Sequence, residues 1–308
     1  MSSVREAAND YLRMRRALGF KLESQGQLLE RFVSYLEQAG GGTVTTELAL
    51  AWATQPAHAD PVWWSKRLSV VRGFARHLQT LDPAAEVPSA QLLPYRRRRA
   101  IPYLYSPSEI VALMDAAEEL ASPLRTATYR TLIGLLAVTG MRVGEAIRLN
   151  RADVDWDKGL LTILSTKFGK DREVPLDPSA VRALAAYDRR RDQLCPQPTA
   201  PAFFVSTAGT RLHAANVRRT FTGLLQAAGL GRRSPRRRQR LHDLRHSFAI
   251  WTLLDWYRSG ADVQARLPLL SSYVGHVEPS STYWYLSAAP ELLELAAQRL
   301  ERAEGAAR

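Results

Sequence analysis

The sequence predicts a mainly α-helical protein with one small antiparallel β-sheet, an α+β fold. Apolar residues recur at helical spacing through most of the 308-residue chain. Only two short runs, residues 160–164 and 173–176, have the composition of strands, and they lie close enough to form a hairpin. The length indicates two domains, and 46% hydrophobic residues are enough for a core in each of them.

The first domain is predicted from residues 3–80, where the apolar pattern forms four helical stripes. Turn and cap residues set the expected boundaries: Gly19, Gly40 to Gly42, Thr45 or Thr46, and Pro61. On the fourth helix a row of basic residues is expected to point outward: Lys66, Arg67, Arg72 and Arg76. Such a row is either a solvated surface or a nucleic-acid contact, and the pattern alone does not decide between them.

A linker is predicted next, because residues 82–106 contain four prolines and little helical periodicity. We place it at residues 91–106, between a helical domain over 1–90 and a second domain over 107–308. Four adjacent arginines stand in it, and their charges repel one another unless a polyanion lies close: Arg96, Arg97, Arg98 and Arg99. A linker that follows a phosphate backbone accounts for them better than a free loop does.

The second domain begins with a helix start at Ser106, which precedes a proline suited to the first helical position. Residues 132–139 are nearly all apolar and predict a buried helix that Gly140 ends. Arg142 then begins a new helix, where backbone N–H groups and a guanidinium can hold an anion together. Glu145 lies three residues further on the same helical face, where it either orients Arg142 or forms an ordinary salt bridge.

Two of the chain's five lysines, Lys167 and Lys170, lie between the predicted strands. A lysine in a hairpin is usually a solubilising residue, and it gains a chemical role only where a leaving oxygen needs a proton donor. Lys167 lies at the strand edge and can point back toward the domain. Lys170 lies nearer the tip, so we assign it to polyanion binding and not to chemistry.

Residues 241–285 concentrate the remaining polar candidates. His242 and Arg245 share a helix face because they are spaced i and i+3. His276 follows a glycine, and Tyr285 lies nine residues further on. The run that precedes this segment is strongly basic, and we expect it to grip nucleic acid through Arg236, Arg237, Arg238 and Arg240.

A metal site is the competing interpretation of these histidines. His242 and His246 are spaced i and i+4 on one helix, and His276 would be the third ligand. Against this interpretation, Asp243 stands where a metalloprotease helix carries glutamate, and Arg245 would place a positive charge beside the ion. We therefore expect no metal and no other cofactor.

The composition favours a polyanionic partner and a reducing compartment. The chain has 42 Lys and Arg against 30 Asp and Glu, a formal net charge of +12, although charge alone does not separate DNA from RNA or an anionic membrane. The single cysteine, Cys195, permits no disulfide within the chain. With neither a signal-peptide pattern nor a run of roughly 18 apolar residues, we expect a cytoplasmic protein with no membrane partner.

In this order and spacing, the candidate segments resemble the tyrosine recombinase, or phage integrase, family. The resemblance covers roughly residues 105–290 and rests on Arg142 in Thr-Gly-Met-Arg-Val-Gly-Glu, Lys167 in the hairpin, His242-x-x-Arg245, Gly275-His276 and Tyr285. The helical N-terminal part is similar to the family's SAM-like core-binding domain, and residues 107–308 to its catalytic domain with a C-terminal helix. Two departures stand out. Tyr273-Val274 replaces the commoner Leu-Leu or Leu-Met, and Tyr283 lies two residues before Tyr285, so the nucleophile is assigned by spacing.

The resemblance implies site-specific DNA recombination through a covalent intermediate. Tyr285 would attack the scissile phosphorus and leave a 3′-phosphotyrosine and a free 5′-hydroxyl. The other roles would be a clamp on the non-bridging oxygens by Arg142 and Arg245, hydrogen bonds to the phosphate from His242 and His276, and protonation of the leaving oxygen by Lys167. His242 is the better of the two histidines for taking the tyrosine proton. No metal is implied, because two fixed arginines supply the positive charge.

The resemblance also implies double-stranded DNA as the partner and the nucleoid as the location. The protein would assemble on DNA as a dimer or tetramer, with or without accessory or sister recombinases, in the integration or transposition of a mobile element. A type IB topoisomerase would use the same residues to relax supercoils, but the short N-terminal helical domain argues against it. A non-catalytic DNA-binding regulator on the same fold is the third alternative, and the presence of every site residue argues against that.

Overall fold

The structure is a computed structural model that describes residues 3–93, 102–164, 171–231 and 239–275, together with 282, 283, 285, 291, 292 and 294. The chain divides into two compact units, residues 1–99 and 100–308. Over the described residues the fold is mainly helical with one three-stranded antiparallel sheet, which confirms the predicted α+β class.

The described part of the first unit contains α1 (Val4–Ala17), α2 (Glu23–Gln38), α3 (Thr46–Thr54) and α4 (Pro61–Leu78). Caps fix the helix starts: the Thr45 hydroxyl accepts a hydrogen bond from the Leu48 backbone N–H at 3.2 Å, and Asp60 accepts one from Val62 at 2.8 Å. The four apolar faces enclose one core around Phe32, Trp52 and Phe74.

Arg67 corrects the prediction of an outward basic row on α4. It is only 8% exposed, donates a hydrogen bond from Nη2 to the Trp52 carbonyl, and its guanidinium carbon lies 3.8 Å from the centre of a Trp52 ring. The cation therefore stabilises the end of α3 and is not available to a polyanion. Lys66, the residue before it, is exposed.

The described helices of the second unit are α5 (Pro107–Ala116), α6 (Pro123–Thr139), α7 (Val143–Arg148), α8 (Pro178–Leu194), α9 (Ala214–Ala227), α10 (Leu241–Arg258) and α11 (Val263–Val274). Its strands are β1 (Val154–Asp155), β2 (Leu160–Ile163) and β3 (Arg172–Pro175), paired antiparallel in the order β1-β2-β3. The register sets Val154 opposite Leu161 and Leu161 opposite Val174. The connection between β2 and β3, with both hairpin lysines, lies outside the described residues.

Gly140 allows α6 and α10 to pack closely. It ends α6 with φ +58°, a conformation that residues with a Cβ rarely adopt. A Cβ at this position would lie 2.4 Å from the Phe248 ring of α10. The glycine therefore lets the chain turn and lets α10 approach the turn, which brings the start of α7 beside α10.

No membrane-spanning helix is found in the part of the chain that the structure describes. The helix α11 was not predicted from the sequence, and the expected C-terminal helix lies largely outside the described residues.

Candidate active site

A buried carboxylate, Glu145, organises the centre of the site. Its Oε2 accepts a hydrogen bond from the Arg142 backbone N–H at 2.8 Å, and its Oε1 accepts one from Arg142 Nη1 at 2.7 Å. Arg172 donates to both oxygens of the same carboxylate, at 2.8 and 3.2 Å. Burial alone would raise the pKa of Glu145, but the two arginines outweigh it and lower that pKa to about 2.

Arg142 is held from two sides at the start of α7. Besides the contact with Glu145, its Nη2 donates to the Gly275 carbonyl oxygen at 2.7 Å. Gly275 ends α11 with φ +69°, so this carbonyl belongs to the turn that leads into His276. The Arg142 side chain is 32% exposed, so an anion can reach it from solvent.

Arg172, at the start of β3, is a site residue that the sequence analysis missed. Besides Glu145, it contacts the Tyr273 carbonyl, to which its Nε donates at 3.0 Å. A Cβ on Gly275 would lie 2.9 Å from its guanidinium, so the glycine is needed for this close approach. Arg172 thus joins the end of the hairpin, α7 and the end of α11.

Arg245 lies on α10 and is only 2% exposed. Its Nη1 donates to the Gly140 carbonyl at 2.8 Å, whereas Nη2 is buried and has no hydrogen-bond partner among the described residues. Burial and the nearby charge of Arg142 lower its pKa to about 10, so it remains a cation at neutral pH. A buried cation with an unused donor is suited to binding an anion.

His242 lies one turn before His246 on the same helix and is exposed, with its ring centre 4.7 Å from that of His246. Desolvation of the ring by the surrounding protein, followed by repulsion from Arg245 and Arg142, lowers its pKa to about 4. His242 is therefore neutral at physiological pH and can donate one hydrogen bond and accept another.

Tyr285 reaches this group of residues, whereas Tyr283 does not. The Tyr285 side chain is 1% exposed, and its hydroxyl lies 3.1 Å from Nδ1 of His246. It also lies close enough to Arg245 for its charge to affect the pKa of that residue. Tyr283, by contrast, is 57% exposed.

Two hydrogen bonds from α10 to the Tyr105 backbone anchor the helix to the start of the second unit. Ser247 accepts a hydrogen bond from the Tyr105 backbone N–H at 2.8 Å, and the Trp251 indole donates to the Tyr105 carbonyl at 3.0 Å. Nearby, Asp243 accepts from the Arg240 backbone N–H at 2.8 Å, and burial raises the pKa of this carboxyl to about 6. The side chain of Arg240 is half exposed, with a nitrogen 3.7 Å from Asp243.

Several predicted site residues lie outside the described residues: Arg96, Arg97, Arg98, Arg99, Lys167, Lys170, Arg236, Arg237, Arg238 and His276. Among the residues that the structure does describe, no group of three or more His, Cys, Asp or Glu is placed to hold a metal ion. The described site thus comprises Arg142, Glu145, Arg172, Arg245, the two histidines of α10 and Tyr285. Its three guanidiniums and one ionised carboxylate give an excess of positive charge beside a phenol.

Comparison with solved structures identifies the class of fold. The integrase of transposon Tn1549, in complex with transposon right end DNA, superposes with a TM-score of 0.67 at 17% identity, covering 98% of this chain and all of that one. The XerH site-specific recombinase, bound to palindromic difH substrate, superposes with a TM-score of 0.65 at 20% identity, covering 98% and 86%. The protein therefore has the fold of the tyrosine recombinases and integrases.

Comparison of sequences places the chain within that class. It matches the phage integrase family over residues 104–291. It is 46% identical to y4rB of Sinorhizobium fredii, an integrase/recombinase by name, over 98% of both chains. It is 31% identical to the tyrosine recombinase XerC of Pelobacter propionicus, over 71% of this chain and 67% of that one. The chain belongs to the phage integrase family, as the sequence motifs predicted.

Proposed function

We propose that the protein is a site-specific recombinase that cuts and rejoins double-stranded DNA through a 3′-phosphotyrosine. The observation that carries this proposal is that buried Arg245 interacts electrostatically with Tyr285 and with the doubly anchored Arg142. A phenol close to a fixed cation, with a second fixed cation next to that one, is suited to attack on an anionic phosphodiester. The fold and the family are those of proteins that carry out this chemistry.

Cleavage is a transesterification at the scissile phosphorus. The Tyr285 oxygen forms a bond to phosphorus while the bond to the 5′-oxygen breaks, and the phenolic proton leaves as the attack proceeds. Charge grows on the non-bridging oxygens in the transition state, where the free donors of Arg142 and Arg245 stabilise it. His242 and His276 donate hydrogen bonds to the same phosphate, and Lys167 protonates the leaving oxygen.

The phosphotyrosine conserves the energy of the phosphodiester, so a 5′-hydroxyl from another strand can reverse the step without ATP. Strand exchange is therefore the reaction that this site supports best. Exchange needs two DNA partners, and we propose that protomers assemble on DNA as a dimer or tetramer. Double-stranded DNA is contacted by the linker arginines Arg96 to Arg99, by Lys66 and Lys170, and by the basic run that includes Arg236, Arg237, Arg238 and Arg240.

Covalent capture on nicked DNA tests the proposal. Randomly nicked fragments of the DNA that carries the gene let a short leaving strand diffuse away, which prevents rejoining and traps the adduct. We expect a covalent complex that survives denaturation, and sequencing of the trapped fragments gives the recombination site. The absence of any adduct across the whole pool would overturn the proposal.

Two tyrosine variants assign the nucleophile on the trapped site. Tyr285→Phe should abolish the adduct, because the buried phenol beside Arg245 is lost while the ring remains. Tyr283→Phe is the matched control and should form adduct at the wild-type rate, since its side chain is exposed. An adduct that persists in Tyr285→Phe and disappears in Tyr283→Phe would reverse the assignment.

A further inference from the structure

The Tyr285 hydroxyl is in contact with His246, a histidine that is not among the residues of the family motifs. The Tyr285 hydroxyl lies 3.1 Å from His246 Nδ1, a hydrogen-bond distance, and the two rings meet edge to face with centres 5.5 Å apart. His246 is half-buried on α10, one helical turn beyond His242. A neutral imidazole with its proton on Nε2 accepts the phenol's hydrogen bond at Nδ1.

A phenol needs such a partner before it can attack phosphorus. Its unperturbed pKa is about 10, so it is protonated at neutral pH and is a weak nucleophile in that form. An imidazole in hydrogen-bond contact is the side chain best matched to removing that proton near pH 7. The positive charge of Arg245, which interacts electrostatically with Tyr285, favours the phenolate as it forms.

His242 is less suited to this task than the family resemblance implies. Desolvation of its ring, together with repulsion from Arg245, Arg142 and Arg240, lowers its pKa to about 4. A base that weak holds a proton poorly at neutral pH. His242 is better suited to donating a hydrogen bond to the phosphate from its exposed position.

We propose that His246 is the proton acceptor for Tyr285. The proposal rests on the proposed function, because it concerns the cleavage step of the same site. As the phenolic oxygen bonds to phosphorus, its proton moves to His246 Nδ1, the bond from phosphorus to the 5′-oxygen breaks, and that oxygen takes a separate proton from the acid. In the rejoining step His246 returns its proton to the departing tyrosine. Among the described residues, Arg245 interacts electrostatically with Tyr285, and the His242 ring, on the same helix, lies against the His246 ring.

The variant His246→Asn distinguishes two roles of His246: accepting a hydrogen bond from the Tyr285 hydroxyl, and removing its proton. The asparagine Oδ1 occupies the position of Nδ1 and can accept the same hydrogen bond, but an amide oxygen is not a base at neutral pH. We expect adduct formation on the trapped site to slow by about 10²-fold or more, with DNA affinity unchanged. His58→Asn, an exposed position on the first unit, is the matched control and should behave as wild type.

Chemical rescue of His246→Ala provides the second measurement. Added imidazole should fill the vacated space and restore adduct formation at least tenfold, with a pH dependence that follows the added base. Pyrrole has the same ring shape without a basic nitrogen, so it should restore nothing.

The outcomes separate this inference from the proposed function. If wild type traps DNA but His246→Asn forms adduct at the wild-type rate, or pyrrole rescues as well as imidazole, His246 only positions the phenol and the inference is wrong. If wild type traps no DNA, the proposed function itself fails. A DNA-binding measurement on each variant excludes loss of folding as the cause of a slow rate.

Discussion

Glu145 is the residue whose charge holds two arginines of the candidate site together, because Arg142 and Arg172 share its carboxylate. Its low pKa implies a defined effect of acid on stability. The folded-state pKa of about 2 lies below the usual value of 4.5, so the carboxylate stabilises the fold above about pH 4.5. That stabilisation is lost as the pH falls toward 2. The shift corresponds to an upper bound on the order of 3 kcal/mol.

We therefore expect Glu145→Gln to be less stable than wild type at neutral pH, because two neighbouring cations lose their counter-charge. Its free energy of unfolding should also fall less than that of wild type between about pH 4.5 and about pH 2.5. Chemical denaturation across this pH range measures both effects. Glu173→Gln, at an exposed position on β3, should track wild type. Parallel pH profiles for wild type and Glu145→Gln would contradict the prediction.

Sequence reasoning identifies single residues well when their partners are close in the chain. The spacing of Arg142 and Glu145 predicted a pair that the structure describes in full. The role of Arg172 depends on Glu145 and Tyr273, which are 27 and 101 residues away, and no local pattern contains that information. Arg67 was misplaced because helical periodicity gives a direction but cannot show that Trp52 lies there to receive the cation.

At the level of elements, Gly140 controls how closely α10 approaches the turn before α7. Gly140→Ala should lower the free energy of unfolding by about 2 kcal/mol or more, because it combines an unfavourable positive φ with an overlap against Phe248. It should also weaken DNA cleavage, since the Gly140 carbonyl holds Arg245.

Gly223→Ala is the matched control for that experiment. Gly223 lies inside α9, and a Cβ there would meet no atom within 4 Å. Alanine in a helix should raise stability by roughly 0.5–1 kcal/mol. Equal destabilisation by both substitutions would mean that the turn geometry at Gly140 is not the cause.

Arg172 links three elements, and its replacement tests whether that link positions Arg142. Arg172→Met keeps the apolar stem but removes the fork that holds Glu145, so adduct formation should slow by about tenfold or more. If the effect passes through Arg142, the double variant Arg142→Ala/Arg172→Met should be no slower than Arg142→Ala alone. Additive losses would show that Arg172 acts on its own. Arg148→Met, exposed at the end of α7, is the control.

Element boundaries were predictable wherever proline, glycine or a capping side chain set them. Pro61, Pro107 and Gly140 each stand where the sequence placed a helix start or end. The helix α11 was missed because Pro268 interrupts it and lacks the N–H that a helix interior uses. The strand β1 was missed because two residues are too few to show alternation.

For the whole molecule, the net charge of +12 predicts DNA binding that weakens strongly with salt. If the linker arginines contact phosphates, replacing Arg97, Arg98 and Arg99 with Gln should make the slope of log affinity against log salt shallower by up to about 0.9 for each phosphate that is no longer neutralised. Binding titrations on the trapped site at several salt concentrations measure this slope.

A control variant that loses the same amount of charge elsewhere shows whether the effect on DNA binding comes from the linker arginines or from the total charge of the protein. Arg182, Arg189 and Arg190 are exposed on α8, and their triple replacement by Gln removes the same charge from a different surface. An equal change of slope in both triple variants would contradict a specific role for the linker. The sequence alone could place the linker arginines on the chain but not on DNA, since a path along a duplex is set by the assembled complex.

The three guanidiniums of the candidate site are each held by a main-chain carbonyl oxygen, so their positions depend little on which side chains stand at the anchoring residues. Arg142, Arg172 and Arg245 each donate to a main-chain oxygen, of Gly275, Tyr273 and Gly140 respectively. A peptide oxygen is present whatever side chain occupies the position, so the anchor survives substitution as long as the backbone path is kept. Another residue in place of Tyr273 could therefore hold Arg172 as well, because the contact uses the main-chain oxygen. Among these three anchoring residues, Gly140 and Gly275 are the ones that other residues cannot easily replace, because their φ angles are positive.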